Sequence, residues 1–368
     1  MAEKRIQVFR IVPGTKLLED VYYNDELILS KDTILNETMI SRLKKYGIYQ
    51  ILVDVEEEED AYTETDDNEI EENTEYSQKV YEIKKSKEFH QFEKTFAENI
   101  GHVEKIFSGA ISNNEEIKPN ILLEQVDGIL SNGRNGFHIL EMMTCVKQYD
   151  DVTFAHCLNV GMLSNVIGKW LGKPDNELEI LTLAGILHDI GKLMIPAEII
   201  DKKGKLTDDE YALVKTHSKH GYNILKTQHL DERIKYAALM HHERLDGSGY
   251  PQHLDGDKIA EFAKIVSIAD VYDAMTANRS YRKGMCPFKA LSIMEEDGFQ
   301  KYDAGFLLTF LKNTAEAYVN MPVLMSDDTK GKIIKINPYQ ASKPLVLTEK
   351  GIVDLSANKE LAIKEIIV

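Results

Sequence analysis

The chain has 368 residues, which allows two or three domains. Hydrophobic residues make up 43% and charged residues 29%, a balance that excludes wholesale disorder and permits a sizeable core. The formal net charge of −17 argues against nucleic acid polymers and anionic membranes as partners, since such a chain repels both.

The charge is concentrated. Thirteen carboxylates fall between Asp54 and Glu75 with no Lys or Arg among them, so the rest of the chain carries only −4. Three cysteines, Cys145, Cys157 and Cys286, show no CxxC spacing. Structural disulfides and a thiolate zinc site are therefore not expected. The opening MAEKRIQVFR lacks the apolar stretch of a signal peptide. No apolar run approaches the ~20 residues of a membrane span. These features lead to the expectation of a soluble, cytoplasmic protein in a reducing compartment.

Residues 1–55 read as a small β-rich domain. Strand-length apolar runs lie at Ile6–Ile11, Leu27–Leu29 and Ile48–Val53, and Thr38–Tyr46 has helical spacing at Met39, Leu43 and Tyr46. Residues 56–75 read as a solvated acidic linker. Between Tyr76 and about Asn113 there is no Pro, and apolar residues recur at gaps of three and four. That spacing predicts one long amphipathic helix, packed either on the next domain or on a second copy as a homodimer. Two shorter helices are predicted near 117–131 and 135–148, completing a helical connecting region over 76–149. Residues 150–325 read as almost entirely helical. Thr207 and Glu210 form a capping box, and Pro287 suits a first helical position. Lys332–Ile336, Pro344–Thr348 and Leu361–Val368 read as strands of a β appendage over 326–368. The fold class expected is mainly α with two small β regions.

Eleven histidines are present, and seven lie between 156 and 242. Singly they carry little weight; their arrangement carries more. Ile180, Leu183, Ala184 and Leu187 occupy one face of a buried helix that runs into His188, Asp189 and Lys192. Burying an imidazole, a carboxylate and an ammonium together costs desolvation, and a metal ion offers a compensating partner. His217 follows on the helix opened by Thr207, then the His241-His242 pair, then Asp270 after a second apolar run; His156 lies upstream. The steps between them, 24 to 32 residues, are helix-plus-loop intervals. A helix bundle can bring such residues to one centre.

This set resembles the ligand set of the HD superfamily of metal-dependent phosphohydrolases. His188-Asp-Ile-Gly-Lys192 is similar to the signature doublet with its lysine, and His241-His-Glu-Arg-Leu-Asp-Gly-Ser-Gly-Tyr-Pro251 is similar to the motif of the HD-GYP subfamily, the cyclic di-GMP phosphodiesterases. The likeness covers about 150–320. It implies a helical domain holding two divalent transition metals, iron or manganese. His156, His188, Asp189 and Asp270 would hold one, and His217, His241 and His242 the other, with Asp189 bridging. It also implies hydrolysis of cyclic di-GMP to pGpG and onward to GMP by a metal-bridged hydroxide. Two metals roughly 3.5–4 Å apart lower the pKa of a shared water from 15.7 towards about 7. Lys192 is the cation nearest in sequence, a point donor for a non-bridging phosphate oxygen.

Further residues join the expected substrate site. Asp273 lies one turn past Asp270, and Arg279 and Arg282 follow three apart. Two arginines there suit phosphate, Arg279 first; the alternative is a solvated salt-bridge face. In the 243–258 loop, Tyr250 is a candidate wall for a guanine base; the alternative is that the motif only fixes the loop. The resemblance also implies that this loop docks diguanylate cyclase domains. His220, His229, His253, His138, His102 and His90 have no ligand context. Ser218 stands where a Pro commonly follows the ligand in the family. Some members hold a third metal through a glutamate four residues before the first histidine; here that position is Val152, so two metals are expected. A non-hydrolytic cyclic di-GMP receptor and a phosphohydrolase of another cyclic dinucleotide or nucleotide are the alternatives.

Overall fold

A computed structural model of the chain describes residues 2–7, 11, 13–23, 26–45, 50–55, 78–146, 152–202, 204–277 and 284–368. The chain divides into two units, Met1–Glu72 and Asn73–Val368. The acidic stretch over 56–75 lies outside the described residues, as do Arg279 and Arg282.

In the first unit, β1 (Ala2–Gln7) pairs antiparallel with β5 (Gln50–Val55), from Ala2↔Val55 to Gln7↔Gln50. On the other side of β5 lies β2 (Lys16–Leu17). The strands β3 (Val21–Tyr23) and β4 (Glu26–Leu29) form a separate hairpin. Helix α1 (Glu37–Lys45) starts where Asn36 Oδ1 accepts from Met39 N at 2.9 Å, as an N-cap does. Leu17, Leu35, Leu43, Ile51 and Val53 make the core. β1 takes in the start of the strand expected at Ile6–Ile11, and residues 8–10 lie outside the described ones.

The second unit opens with α2 (Gln78–Lys85) and α3 (Lys87–Ser112). The single long helix expected over 76–113 is therefore broken at Ser86. Its Oγ accepts from Phe89 N at 3.1 Å and donates to Ile83 O at 2.7 Å. A short hydroxyl can satisfy helix-end groups in a way apolar periodicity does not register. The apolar face, including Val80, Ile83, Phe92, Phe96, Val103 and Phe107, is buried within this chain. These side chains are thus unavailable to a second copy. The helices α4 (Pro119–Leu130) and α5 (Gly136–Cys145) follow as expected.

The helices α6 (Val152–Trp170) and α7 (Asp175–Leu187) form the centre. They approach closely: a Cβ on Gly185 would lie 2.7 Å from Gly161 Cα, so only glycine permits the crossing. A 3₁₀ turn, Ile190–Met194, leads to α8 (Ala197–Ile200) and α9 (Asp208–Lys215), which carries the Thr207–Glu210 capping box. His217 does not lie on α9, as the sequence suggested; it begins α10 (His217–Leu225) after a break at Thr216. A Cβ on Gly191 would overlap His217 O and Gly221 N, so the 3₁₀ turn sits directly on the start of α10. Then come α11 (Glu232–Met240), α12 (Glu261–Thr276), α13 (Pro287–Lys301, with Pro287 at its first position) and α14 (Ala304–Ala317).

An antiparallel sheet closes the chain: β6 (Pro322–Met325), β7 (Lys330–Lys335), β8 (Leu345–Thr348), β9 (Gly351–Asp354) and β10 (Ile363–Ile366), in the order β10-β6-β7-β8-β9. The sequence reading missed β6, whose apolar run continues the helical region, and β9, which is mostly exposed. Val323, Met325, Ile333 and Val346 share one core with the helices. Among the described residues no helix is long and apolar enough to cross a membrane.

Candidate metal centre

Five helices and the turn after α7 deliver the site. His156 comes from α6, His188 and Asp189 from the end of α7 and the turn after it, His217 from the first residue of α10. His241 and His242 follow the end of α11, and Asp270 lies on α12. All but His242 are buried. Two groups form: Asp189, His217, His241 and His242, and His156, His188 and Asp270, each with potential ligand atoms within 4.8 Å of one another.

Asp189 lies between them, fully buried. Its Oδ2 is 3.1 Å from His188 Nε2 and 3.6 Å from His156 Nε2. Its Oδ1 is 3.3 Å from His217 Nε2 and 3.7 Å from His241 Nε2. One carboxylate thus presents one oxygen to each histidine set. Asp270 Oδ1 is 3.1 Å from His156 Nε2, and its Oδ2 is 3.8 Å from His242 Nδ1. Lys192 Nζ bonds Asp189 Oδ2 and is partly exposed.

At three of the histidines the ring atom facing away from the centre is engaged by a backbone carbonyl. His188 Nδ1 lies 2.6 Å from Gly185 O, His217 Nδ1 2.6 Å from Val214 O, and His241 Nδ1 3.1 Å from Ala237 O and Ala238 O. Donation at Nδ1 leaves the Nε2 lone pair aimed inward, the arrangement found around metal-ligating histidines. Inward-facing His188 Nε2 and Asp189 Oδ1 are buried and make no hydrogen bond. Orphaned polar atoms of this kind are costly unless a partner arrives, and a pair of divalent cations fits them.

Protonation agrees with that fit. Burial holds the imidazoles of His217 and His242 below their ordinary value and His241 at about 3, reinforced for His241 by neighbouring His188. Burial alone would raise Asp189, but His188 and Lys192 outweigh it and hold the carboxyl well below the usual range. The same holds at Asp270, where the hydrogen bond from His156 dominates the opposing effect. Neutral imidazole and ionised carboxylate are the ligating forms. His156 is the exception: burial would lower it, yet hydrogen bonds to Asp270 and Asp273 hold it at about 9.

The HD domain family matches residues 140–305. Residues 140–305 form an HD domain. The chain is 38% identical over 152 residues to the cyclic di-GMP phosphodiesterase PA4108 of Pseudomonas aeruginosa, covering 41% of this chain and 37% of that one. It is 39% identical over 145 residues to the 3'3'-cGAMP-specific phosphodiesterase 3 of Vibrio cholerae, covering 39% and 32%. The chain thus matches about a third of the length of these curated relatives. In fold it is similar to Bd1817, a HDG"Y"P protein from Bdellovibrio bacteriovorus, with a TM-score of 0.54 at 19% identity over 84% of this chain and 98% of that one.

Around the HD domain's centre, the structure gives two residues duties that sequence reasoning did not assign. Asp273, expected at the substrate, is 5% exposed, and its Oδ2 lies 2.6 Å from His156 Nδ1. It orients a histidine, as carboxylates beyond the ligands do. Glu243, which sequence reasoning passed over, is buried and accepts from Gln252 N at 2.6 Å and Leu254 N at 3.0 Å. It fixes the loop that carries Tyr250. The only available signal was an acidic residue inside the 241–251 motif. Tyr250 lies with its ring 4.6 Å from that of His242, at the edge of the site. His220 is outside both groups.

Proposed function

We propose that the chain hydrolyses cyclic di-GMP to linear pGpG, with iron or manganese at its two His/Asp groups. The observation that carries this reading is the Asp189 carboxylate, with one oxygen toward each group. The activities named for the Pseudomonas and Vibrio relatives support the substrate class. His156, His188 and Asp270 would hold one ion and His217, His241 and His242 the other, with Asp189 reaching both. Such a pair would lower the pKa of a water and offset the negative charge that builds at phosphorus.

The chain's own groups supply the rest. Backbone carbonyls at 185, 214, 237 and 238 hold the histidine rings in register. Lys192, raised in pKa because the charges of Asp189 and Asp270 outweigh burial, stays an ammonium able to hold a non-bridging phosphate oxygen. Tyr250 walls the site beside His242. Arg279 and Arg282 remain proposed phosphate contacts, and the 243–258 loop the proposed surface for a diguanylate cyclase domain. Val152 offers no ligating atom for a third ion, so pGpG accumulates ahead of GMP. The free cysteines Cys145, Cys157 and Cys286 fit a cytoplasmic enzyme. A complete ligand set speaks against a receptor that binds without turnover.

The second Vibrio-type substrate, 3'3'-cGAMP, is the competing reading, because identity to that relative is as high. The test is chromatography of products after anaerobic loading with Fe²⁺ or Mn²⁺. Cyclic di-GMP should yield pGpG, and chelation should stop it. No linear product from the loaded protein refutes the proposal.

A further inference from the structure

A cavity of about 470 Å³ adjoins the metal centre and shares His156 and Asp273 with it. Its size is within the ~300–1,000 Å³ of small-molecule sites. The walls divide by chemistry. On α6, Asn159 lies one turn beyond His156; on α12, Thr276 lies one turn beyond Asp273. These residues form a polar strip leading away from the metal ligands. Met143, Val146, Met285 and Ile366 bring apolar surface to the same cavity. Ile366 belongs to β10, so the sheet that follows the HD domain contributes a wall.

Among the described residues, two groups on the strip lack a hydrogen-bond partner. The Thr276 hydroxyl is engaged, donating to Tyr272 O at 2.8 Å. Asp273 uses Oδ2 on His156 and, among the described residues, leaves Oδ1 without a hydrogen bond. The half-buried Asn159 amide likewise has no hydrogen-bond partner among them. An idle carboxylate oxygen beside an idle amide, facing apolar walls, suits a flat heterocycle with one polar edge. Guanine presents N1–H and N2–H donors beside the O6 acceptor, complementary to Asp273 Oδ1 and Asn159 Nδ2–H. Adenine presents an amino donor where guanine has O6 and no proton at N1. It would leave the carboxylate oxygen unpaired, which is how a polar site rejects a near-isostere.

We propose that this cavity seats one guanine base of the substrate, and that Asn159 is a specificity-determining residue selecting guanine over adenine. This rests on the hydrolase reading for its ligand, and since cyclic di-GMP and 3'3'-cGAMP each carry a guanine, either can fill the site.

The test has two arms on full-length, metal-loaded protein. Equilibrium binding of GMP and AMP is measured for wild type and Asn159→Ala, and kcat and KM are measured with cyclic di-GMP and 3'3'-cGAMP. Wild type should bind GMP at least roughly tenfold more tightly than AMP, the worth of about one such hydrogen bond. Asn159→Ala should lose most of that preference and raise KM for cyclic di-GMP, with kcat, metal content and melting temperature nearly unchanged. Equal binding of GMP and AMP by wild type, or a preference intact in Asn159→Ala, overturns the guanine site. Turnover of cyclic di-GMP alongside either result leaves the hydrolase reading standing. A GMP preference lost in the variant, with cyclic di-GMP uncut by wild type, supports the base site and rejects the hydrolase.

Discussion

Replacing Glu243 with Gln should loosen the loop beside the metal centre while leaving the helices intact. The Glu243 carboxylate is 2% exposed and accepts two backbone donors, Gln252 N at 2.6 Å and Leu254 N at 3.0 Å. Each charge-assisted bond contributes about 1.5–3 kcal/mol. A glutamine amide keeps one acceptor oxygen and turns an NH₂ toward the other donor. One bond is then lost and the second weakened, about 2–4 kcal/mol in all. Local opening that exposes these amides should become roughly 30- to 1,000-fold more frequent. Hydrogen exchange read by NMR or mass spectrometry measures this directly. Protection at 252 and 254 should fall by that factor, while amides within α7 should not change. KM should rise, since Tyr250, whose N donates to His242 O at 3.1 Å, lies in the freed segment. Unchanged protection at both amides would refute the assignment of Glu243 as the loop's anchor.

Other outcomes test the centre and its surroundings. Asp189→Asn should abolish turnover by orders of magnitude and reduce bound metal, because an amide cannot offer a charged oxygen to each group; turnover retained with metal bound would sink the assignment, and His188→Ala should behave alike. Asp273→Asn should weaken metal retention against a chelator by roughly 10–100-fold through loss of His156 orientation; wild-type retention would contradict that role. Burial pushes the Cys145 thiol up to about 12. Only about one molecule in ten thousand is then thiolate at pH 8, rising as pH climbs toward that value. Iodoacetamide at pH 8 should leave Cys145 unmodified in folded protein and label it in urea; rapid labelling of folded protein is the contrary result by peptide mass mapping.

Much of the local structure was legible because its signals are local. The Thr207–Glu210 box and Pro287 are read within one turn of chain, and both begin helices where expected. The apolar stripe over 78–112 gave helix at once, yet the break at Ser86 depends on where a hydroxyl turns. Periodicity is blind to that choice. Strands β6 and β9 were missed for opposite reasons: one is apolar on a stretch that continues the helical region, the other mostly exposed.

At the centre, residue type and order alone identified the seven candidate ligands and the HD-GYP likeness. Chemistry restricts which side chains can serve, and the 241–251 motif is contiguous. Which oxygen of Asp189 faces which histidine was not available from sequence. Nor was the use of Asp273, which meets His156 across 117 positions. The Asp189 pairings follow from the Gly161–Gly185 crossing of α6 and α7 and the seating of Gly191 on α10, since helices approach that closely only where no side chain intervenes, and the Asp273–His156 pairing follows from the packing of α12 against α6. The sequence determined the inventory of candidate ligands and their order along the chain; packing between distant segments decided their orientation, the anchoring of the 243–258 loop, and the cavity beside His156.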